Sequence, residues 1–151
     1  MPKKTKNLKY YEAVGKRKEA VARVRLFIAG KDKTVTVNGL KIKAGEIFVN
    51  KKLLSSVFPS LSEKNQYLLP LKLTQNLDRF AIAILVKGGG KNGQLNAITH
   101  GLSRAIVKVD KENYRSILKK HGLLTRDARI RERRKVGTGG KARRKKQSPK
   151  R

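Results

Sequence analysis

Residues 126–151 set the terms for the whole chain, because they are too basic and too poor in apolar side chains to fold on themselves. Arg126, Arg129, Arg131, Arg133, Arg134, Lys135, Lys141, Arg143, Arg144, Lys145, Lys146, Lys150 and Arg151 supply 13 cations, against Asp127 and Glu132 alone. Ile130 and Val136 are the only large apolar residues of the stretch. Ordering a segment of this length costs on the order of tens of kcal/mol of conformational entropy, and no hydrophobic face offsets it. A phosphate backbone does, by exchanging its condensed counterions for Lys and Arg heads. The stretch therefore reads as a polyanion-binding tail. The plainer readings are a solvated tail that aids solubility, or a basic localisation signal.

The remainder of the 151-residue chain divides into a basic N-terminal arm, residues 1–9, and one domain, residues 10–125, with room for one modest core. Net charge is +29, from 39 Lys and Arg against 10 Asp and Glu. That far exceeds the magnitude of about 2 to 8 that suits a small soluble domain, and it points to a nucleic acid or another anionic surface. The absence of cysteine removes disulfides, thiolate catalysis and Cys-ligated metals, and permits a reducing compartment without requiring one. His100 and His121 are too few for a His-based metal site. The basic N-terminal arm runs into no apolar signal segment, and no run of about 18 apolar residues occurs, so the expectation is a soluble, unexported protein without a membrane partner.

Along the domain, Tyr10 and Tyr11 precede a Gly15-Lys16-Arg17-Lys18 cluster that leads into the first strand. Residues 20–28 alternate, with Ala22, Val24, Leu26 and Ile28 on one face and Arg23 and Arg25 on the other. This predicts a half-buried strand of an antiparallel sheet whose open face is basic. Beside Lys16, Arg17 and Lys18, the two arginines read as part of a phosphate-binding surface. Residues 34–37 followed by Asn38-Gly39 predict a hairpin or a sharp strand exit. Periodicity is weak over residues 40–62, where Ile47, Phe48, Leu53, Leu54, Val57 and Phe58 suit one or two short helices. Residues 67–73 are expected as a strand, with Pro70 placing it at an edge or a bulge.

Residues 80–86 are apolar on both faces and are expected as a central strand, with Ala81 and Ala83 making room for a closely packed helix. That helix is announced by Leu95, Ile98, Leu102, Ala105, Ile106 and Val109 at spacings of three and four, with Ala97, Gly101 and Ala105 as a small-residue stripe. Its other face, with Asn96, Thr99, His100 and Ser103, reads as a solvated or locally hydrogen-bonded surface. A second helix over residues 111–120 takes Asp110 as its cap and ends at His121-Gly122. Leu123 and Leu124 then pin the base of the tail.

Gly88-Gly89-Gly90-Lys91-Asn92-Gly93 matches GxGxxG between a strand and a helix, with Asp110 and Glu112 downstream. This is the strongest case for an enzyme, and it fails on topology, because a dinucleotide fold needs several further strand-helix units after the fingerprint. A Walker A loop fails as well, since Gln94 stands where lysine would follow Gly93. Neither a Ser-His-Asp set nor paired carboxylates emerge. The expectation is no enzyme and no cofactor. The loop keeps two jobs, a tight turn with positive φ or a helix N-terminus whose free amides meet an RNA phosphate.

Taken together, Gly15-Lys16-Arg17-Lys18 running into residues 20–26, then Val86-Lys87-Gly88-Gly89-Gly90, residues 97–105 and residues 124–129, with a Lys-Arg terminus, resemble the family of universal ribosomal protein nine of the small subunit, bacterial type. The resemblance covers nearly the whole chain. It implies an α+β fold like the second domain of ribosomal protein five: a small mixed sheet with helices on one face and a left-handed strand–helix–strand crossover. The general rule for such crossovers predicts the opposite hand. It further implies a tail threading small-subunit ribosomal RNA, with Lys150 and Arg151 approaching the anticodon stem-loop of peptidyl-site transfer RNA. Members typically end Gln-Phe-Ser-Lys-Arg, whereas Gln147-Ser148-Pro149-Lys150-Arg151 lacks the aromatic, and residues 136–140 depart from the usual Tyr-Gly-Leu-Lys-Lys.

The reading that results is a structural RNA-binding constituent of the small-subunit head, on a cytoplasmic or organellar ribosome, with neighbouring head proteins as further partners. Its expected ribosomal RNA contacts are Lys16, Arg17, Lys18, Arg23 and Arg25 on the body. In the tail they are Arg126, Arg129, Arg131, Arg133, Arg134, Lys135, Lys141, Arg143, Arg144, Lys145 and Lys146. The rival from another class is a free RNA- or DNA-binding chaperone with a disordered basic tail.

Overall fold

Alternating small and apolar residues produce a long hairpin at the start of the chain. Strand β1 (Tyr10–Arg17) pairs antiparallel with β2 (Ala20–Ile28), from Tyr10 opposite Phe27 to Arg17 opposite Ala20, and Lys18 takes a φ of 49° in the turn. The computed structural model describes residues 9–29, 34–37 and 39–138. The elements that follow are β3 (Val35–Val37), β4 (Leu40–Ile42), β5 (Ile47–Val49), β6 (Lys52–Leu53), α1 (Leu54–Val57), α2 (Leu61–Leu73), β7 (Phe80–Lys87), α3 (Lys91–Val109) and α4 (Lys111–Lys120). One sheet has the order β1-β2-β7-β5-β6, and β3 pairs with β4 as a separate hairpin. As expected, β7 is central. It runs antiparallel to β2 and parallel to β5, so the sheet is mixed, and α1 and α2 make the crossover between the parallel pair.

The parity of the strands decides what each face packs against. Ala22, Val24 and Leu26 of β2 and Ile82, Ile84 and Val86 of β7 share a core with Ala97, Ile98, Leu102, Ala105 and Ile106 of α3. Phe27 and Ala81 point the other way and are buried with Val35 and Ile42, so the β3–β4 hairpin covers that part of the opposite face. The helices thus lie on one face, as expected, and a hairpin lies on part of the other. Asn38 of the predicted turn lies outside the described residues, while Val37 sits opposite Leu40 across it.

The small-residue stripe of α3 does its work against β1 and β2, not β7. A Cβ on Gly15 would collide with the carbonyl oxygen of Ala97 and lie 2.8 Å from Gly101 Cα. One on Gly101 would lie 2.8 Å from Val24 Cγ2 and 3.1 Å from the amide of Gly15. Ala81 and Ala83, expected to admit the helix, face the β3–β4 hairpin instead, because Phe80, Ile82, Ile84 and Val86 take the helix side.

Three further expectations are corrected. Residues 67–73 are helical, as the second half of α2, with Pro70 inside the helix. The helix starts at a capping arrangement in which the Ser60 amide donates to Glu63 Oε2 at 3.2 Å, and it buries Tyr67, Pro70 and Leu71 at helical spacing. Ile47 and Phe48 belong to a strand rather than a helix, their β-prone residues pairing with Ile82 and Ala83, and Leu53 ends another strand, while residues 54–57 form one short helix before α2 begins at Leu61. Ile28, the last residue of β2, is 51% exposed, lining an open hollow with Leu77, Arg79 and Lys72 of α2. By contrast, Asp110 caps α4 by accepting from the Asn113 amide at 3.2 Å, and Leu123 and Leu124 pack against the core as the sequence suggests.

Candidate nucleic-acid interface

Register assembles the open part of the sheet face row by row. Lys16, Val21 and Lys87 are neighbours across β1, β2 and β7, and Val14, Arg23 and Leu85 form the next row. Arg23 is exposed, as are Val21 and Leu85 at 39% and 43%. Lys18 projects from the adjoining turn, exposed. This patch pairs cations with apolar surface, the composition that suits a phosphate backbone with its sugars and bases.

Arg25 behaves differently from Arg23. It sits directly opposite Glu12, and the two form an ion pair at 2.6 Å. Its guanidinium also lies 4.8 Å from the centre of the Tyr10 ring. Alternation puts both arginines on one face, but Glu12 becomes visible as a partner only once residues 10–17 are known to be a strand.

The free edge of β1 is closed by side chains that the sequence reading did not single out as cationic contacts. Arg104 Nη1 donates to the Val14 carbonyl at 2.5 Å, and Lys108 Nζ donates to the Glu12 carbonyl at 2.7 Å. The Lys16 amide donates to His100 Nδ1 at 3.4 Å. Residues four apart on α3 advance about 6 Å, close to the roughly 6.8 Å of two residues of strand, so His100, Arg104 and Lys108 match alternate residues of β1. The edge is thereby shielded from pairing with another chain. The i, i+4, i+8 spacing was present in the sequence, but the register that gives it meaning was not.

His100 also reaches the root of the tail. Its Nε2 is 3.3 Å from the Leu124 carbonyl, and since Nδ1 accepts from Lys16, Nε2 carries the proton. Burial pushes this imidazole below its ordinary value, with Arg104 and Arg126 adding to the effect and the Leu124 hydrogen bond opposing it. The neighbouring polar residues of α3 divide: Asn96 is exposed, while Thr99 and Ser103 are buried and locally hydrogen-bonded, donating to the Leu95 carbonyl at 3.0 Å and the Thr99 carbonyl at 2.8 Å.

Arg17, with a side chain only 14% exposed, holds the next stretch of tail. Its Nη1 donates to the carbonyls of Asp127 at 3.2 Å and Arg129 at 2.6 Å, and its Nη2 lies 3.0 Å from Asp127 Oδ2. Arg129 grips the same carboxylate, Nη2 to Oδ2 at 2.7 Å, and its amide donates to Oδ1 at 3.0 Å. These bonds from Arg129, reinforced by the charge of Arg17, hold the Asp127 carboxyl well below the usual range, and Asp127 raises Arg129 in return. Arg126, Arg131, Arg133, Arg134 and Lys135 are exposed. Lys141, Arg143, Arg144, Lys145, Lys146, Lys150 and Arg151 lie outside the described residues.

The glycine loop performs the first of its two expected jobs. Gly88 and Gly89 have φ of 73° and 66°, and a Cβ on Gly88 would run into the Glu19 carbonyl. The loop is wedged against the β1–β2 turn, in a conformation that side chains resist. Lys91, the first residue of α3, pairs with Glu63 at 2.8 Å. Beyond β7 the described chain continues only into α3, α4 and the tail, without the further strand-helix units of a dinucleotide fold. No helix among the described residues is long and apolar enough to cross a membrane.

A family profile described as ribosomal protein S9/S16 matches residues 15–151. The small ribosomal subunit protein uS9 of Rickettsia rickettsii (strain Sheila Smith) is 43% identical over 148 residues, which is 98% of this chain and 83% of that protein. Its counterpart in Rickettsia felis is 43% identical over 143 residues, 95% and 78% of the two chains. That of Rickettsia typhi is 41% identical over 148 residues, 98% and 82%.

Proposed function

The chain belongs to the ribosomal protein S9/S16 family, and from that premise we propose that it is a structural constituent of the small ribosomal subunit head that binds ribosomal RNA without catalysing a reaction. The body docks through the open sheet face, where exposed Arg23 stands beside Lys16, Lys18 and Lys87 with Val21 and Leu85 between them. The tail supplies the remaining phosphate contacts, from Arg126 through Lys146. Its terminal Lys150 and Arg151 approach peptidyl-site transfer RNA, and other head proteins flank the body on a cytoplasmic ribosome.

The observation that carries this reading is how the tail leaves the body. It is bound through Leu124, Asp127 and Arg129, and from Arg131 to Lys135 it exposes cations with no apolar face to fold upon. A segment so built is ordered by a polyanion through counterion release and charge-assisted bonds to phosphate oxygens. Arginine, the commoner cation over residues 126–135, can engage two such oxygens at once.

Co-sedimentation tests the reading. The protein is expected to stay with small subunits through a high-salt wash that strips free RNA-binding chaperones, and its loss at moderate salt would favour the chaperone instead.

A further inference from the structure

Asp127 is out of place in a polyanion-binding tail. It sits between Arg126 and Arg129, where a carboxylate repels any phosphate those arginines approach. Left unpaired, it would weaken binding. It is not left unpaired: Arg17 of β1 and Arg129 of the tail converge on it, at 3.0 Å and 2.7 Å.

Arg17 is equally out of place as a phosphate ligand. Its Nη1 serves two carbonyls and its Nη2 the Asp127 carboxylate, and its side chain is largely covered. What these bonds do is fix a direction. Two carbonyls, two residues apart, facing one guanidinium leave residues 127–129 little freedom to rotate. Three residues upstream the Leu124 carbonyl is held by His100. Residues 124–129 are therefore tied to β1 and α3 by bonds within the chain.

We propose that Arg17, Asp127 and Arg129 form a clasp that positions the root of the tail for its RNA, so that Asp127 favours binding in spite of its charge. The proposal rests on the reading that the tail binds ribosomal RNA. Its logic is preorganisation: a segment whose exit is already fixed loses less entropy when its cations engage. Arg17 and Asp127 are thus positioning residues, while Arg126 and the cations from Arg131 onward make the contacts.

The sign of one substitution tests this. Full-length protein carrying Asp127→Ala is titrated against small-subunit particles lacking this protein, over a range of salt. An ordinary acidic residue, once removed, leaves binding equal or tighter. The clasp predicts weaker binding, by about 5- to 30-fold, the factor that accompanies one to two kcal/mol. Trypsin supplies the second measurement: cleavage after Arg126 and Arg129 of the free protein should accelerate in Asp127→Ala. Binding that is unchanged or tighter overturns the proposal, as does weaker binding with cleavage no faster than wild type. A parallel variant with Arg131, Arg133, Arg134 and Lys135 changed to Gln separates this from the underlying reading. If that variant binds as wild type does, the RNA-binding role of the tail falls. If it weakens and loses salt dependence while Asp127→Ala does not weaken, only the clasp falls.

Discussion

His100 accepts the backbone N–H of Lys16 at 3.4 Å through Nδ1, and only a neutral imidazole can do so. The same ring faces the Leu124 carbonyl through Nε2, so one side chain ties the edge of β1 to the root of the tail.

This arrangement predicts a pH dependence whose sign is fixed. Burial lowers the folded value of His100 from the ordinary 6.5, and the nearby Arg104 and Arg126 also disfavour its charged form. A histidine lowered in the folded state contributes stability that is present above its unfolded value and lost as pH falls through that value toward the folded one. The melting temperature should therefore drop as pH falls from about 7 toward 5. Asp127, Glu63 and Asp110 have lowered values and titrate further down. In His100→Gln the drop over this window should shrink; identical pH profiles in variant and wild type would refute the assignment.

The contact of Gly15 with α3 predicts a sharp loss on adding a single methyl group. In Gly15→Ala the new Cβ meets main-chain atoms of Ala97 and Gly101, which cannot rotate out of the way. The cost should reach or exceed about 3 kcal/mol, the upper end for overpacking. Gly39→Ala makes the control, because nothing lies within 4 Å of its Cβ and only its φ of 82° opposes it. That should cost about 1 to 2 kcal/mol. Urea unfolding of both variants measures the difference, and equal losses would show that α3 can move off the sheet.

How much of this was legible in the sequence follows from where the signal lay. The alternation of β2 and the three-four spacing of α3 are local, and both elements formed where expected. Strand β1 was obscured because its inward positions include Ala13 and Gly15, too small to show an apolar period. The second half of α2 misled for a related reason: its proline and leucines resemble an edge strand, and the start signal at Ser60 and Glu63 stands well before them. At the site, the cations were visible one by one. Their internal partners were not, since Glu12 is 13 residues from Arg25 and Asp127 is 110 from Arg17.

The split between Arg23 and Arg25 can be measured directly. Arg23→Ala removes an exposed cation and should weaken docking to the subunit while leaving the melting temperature unchanged. Arg25→Ala breaks a half-exposed ion pair with Glu12 and the contact with Tyr10, and should lower stability by up to about 1 kcal/mol. If instead the two variants lose docking equally with equal melting temperatures, Arg25 contacts RNA and its pair with Glu12 opens on binding.

The end of the tail carries the last prediction. From Thr138, the last described residue, to Arg151 a fully extended chain reaches at most roughly 43 to 47 Å, enough to cross from a docked body into a neighbouring site. If Lys150 and Arg151 meet transfer RNA, they meet a backbone common to all transfer RNAs, and arginine is suited to its phosphates. Their position beyond the basic run of Arg143 to Lys146 divides the labour: the run should hold the tail in ribosomal RNA, and the terminus should act only when a transfer RNA is present. Trimming Lys150 and Arg151 should leave subunit assembly intact and lower peptidyl-site affinity by about 1 to 3 kcal/mol, the range for one or two charge-assisted bonds. Changing Arg143 and Arg144 to Gln should impair incorporation into the subunit instead. Transfer-RNA binding to subunits carrying each variant decides between these roles, and an unchanged affinity of the trimmed protein at moderate salt would confine the tail to ribosomal RNA.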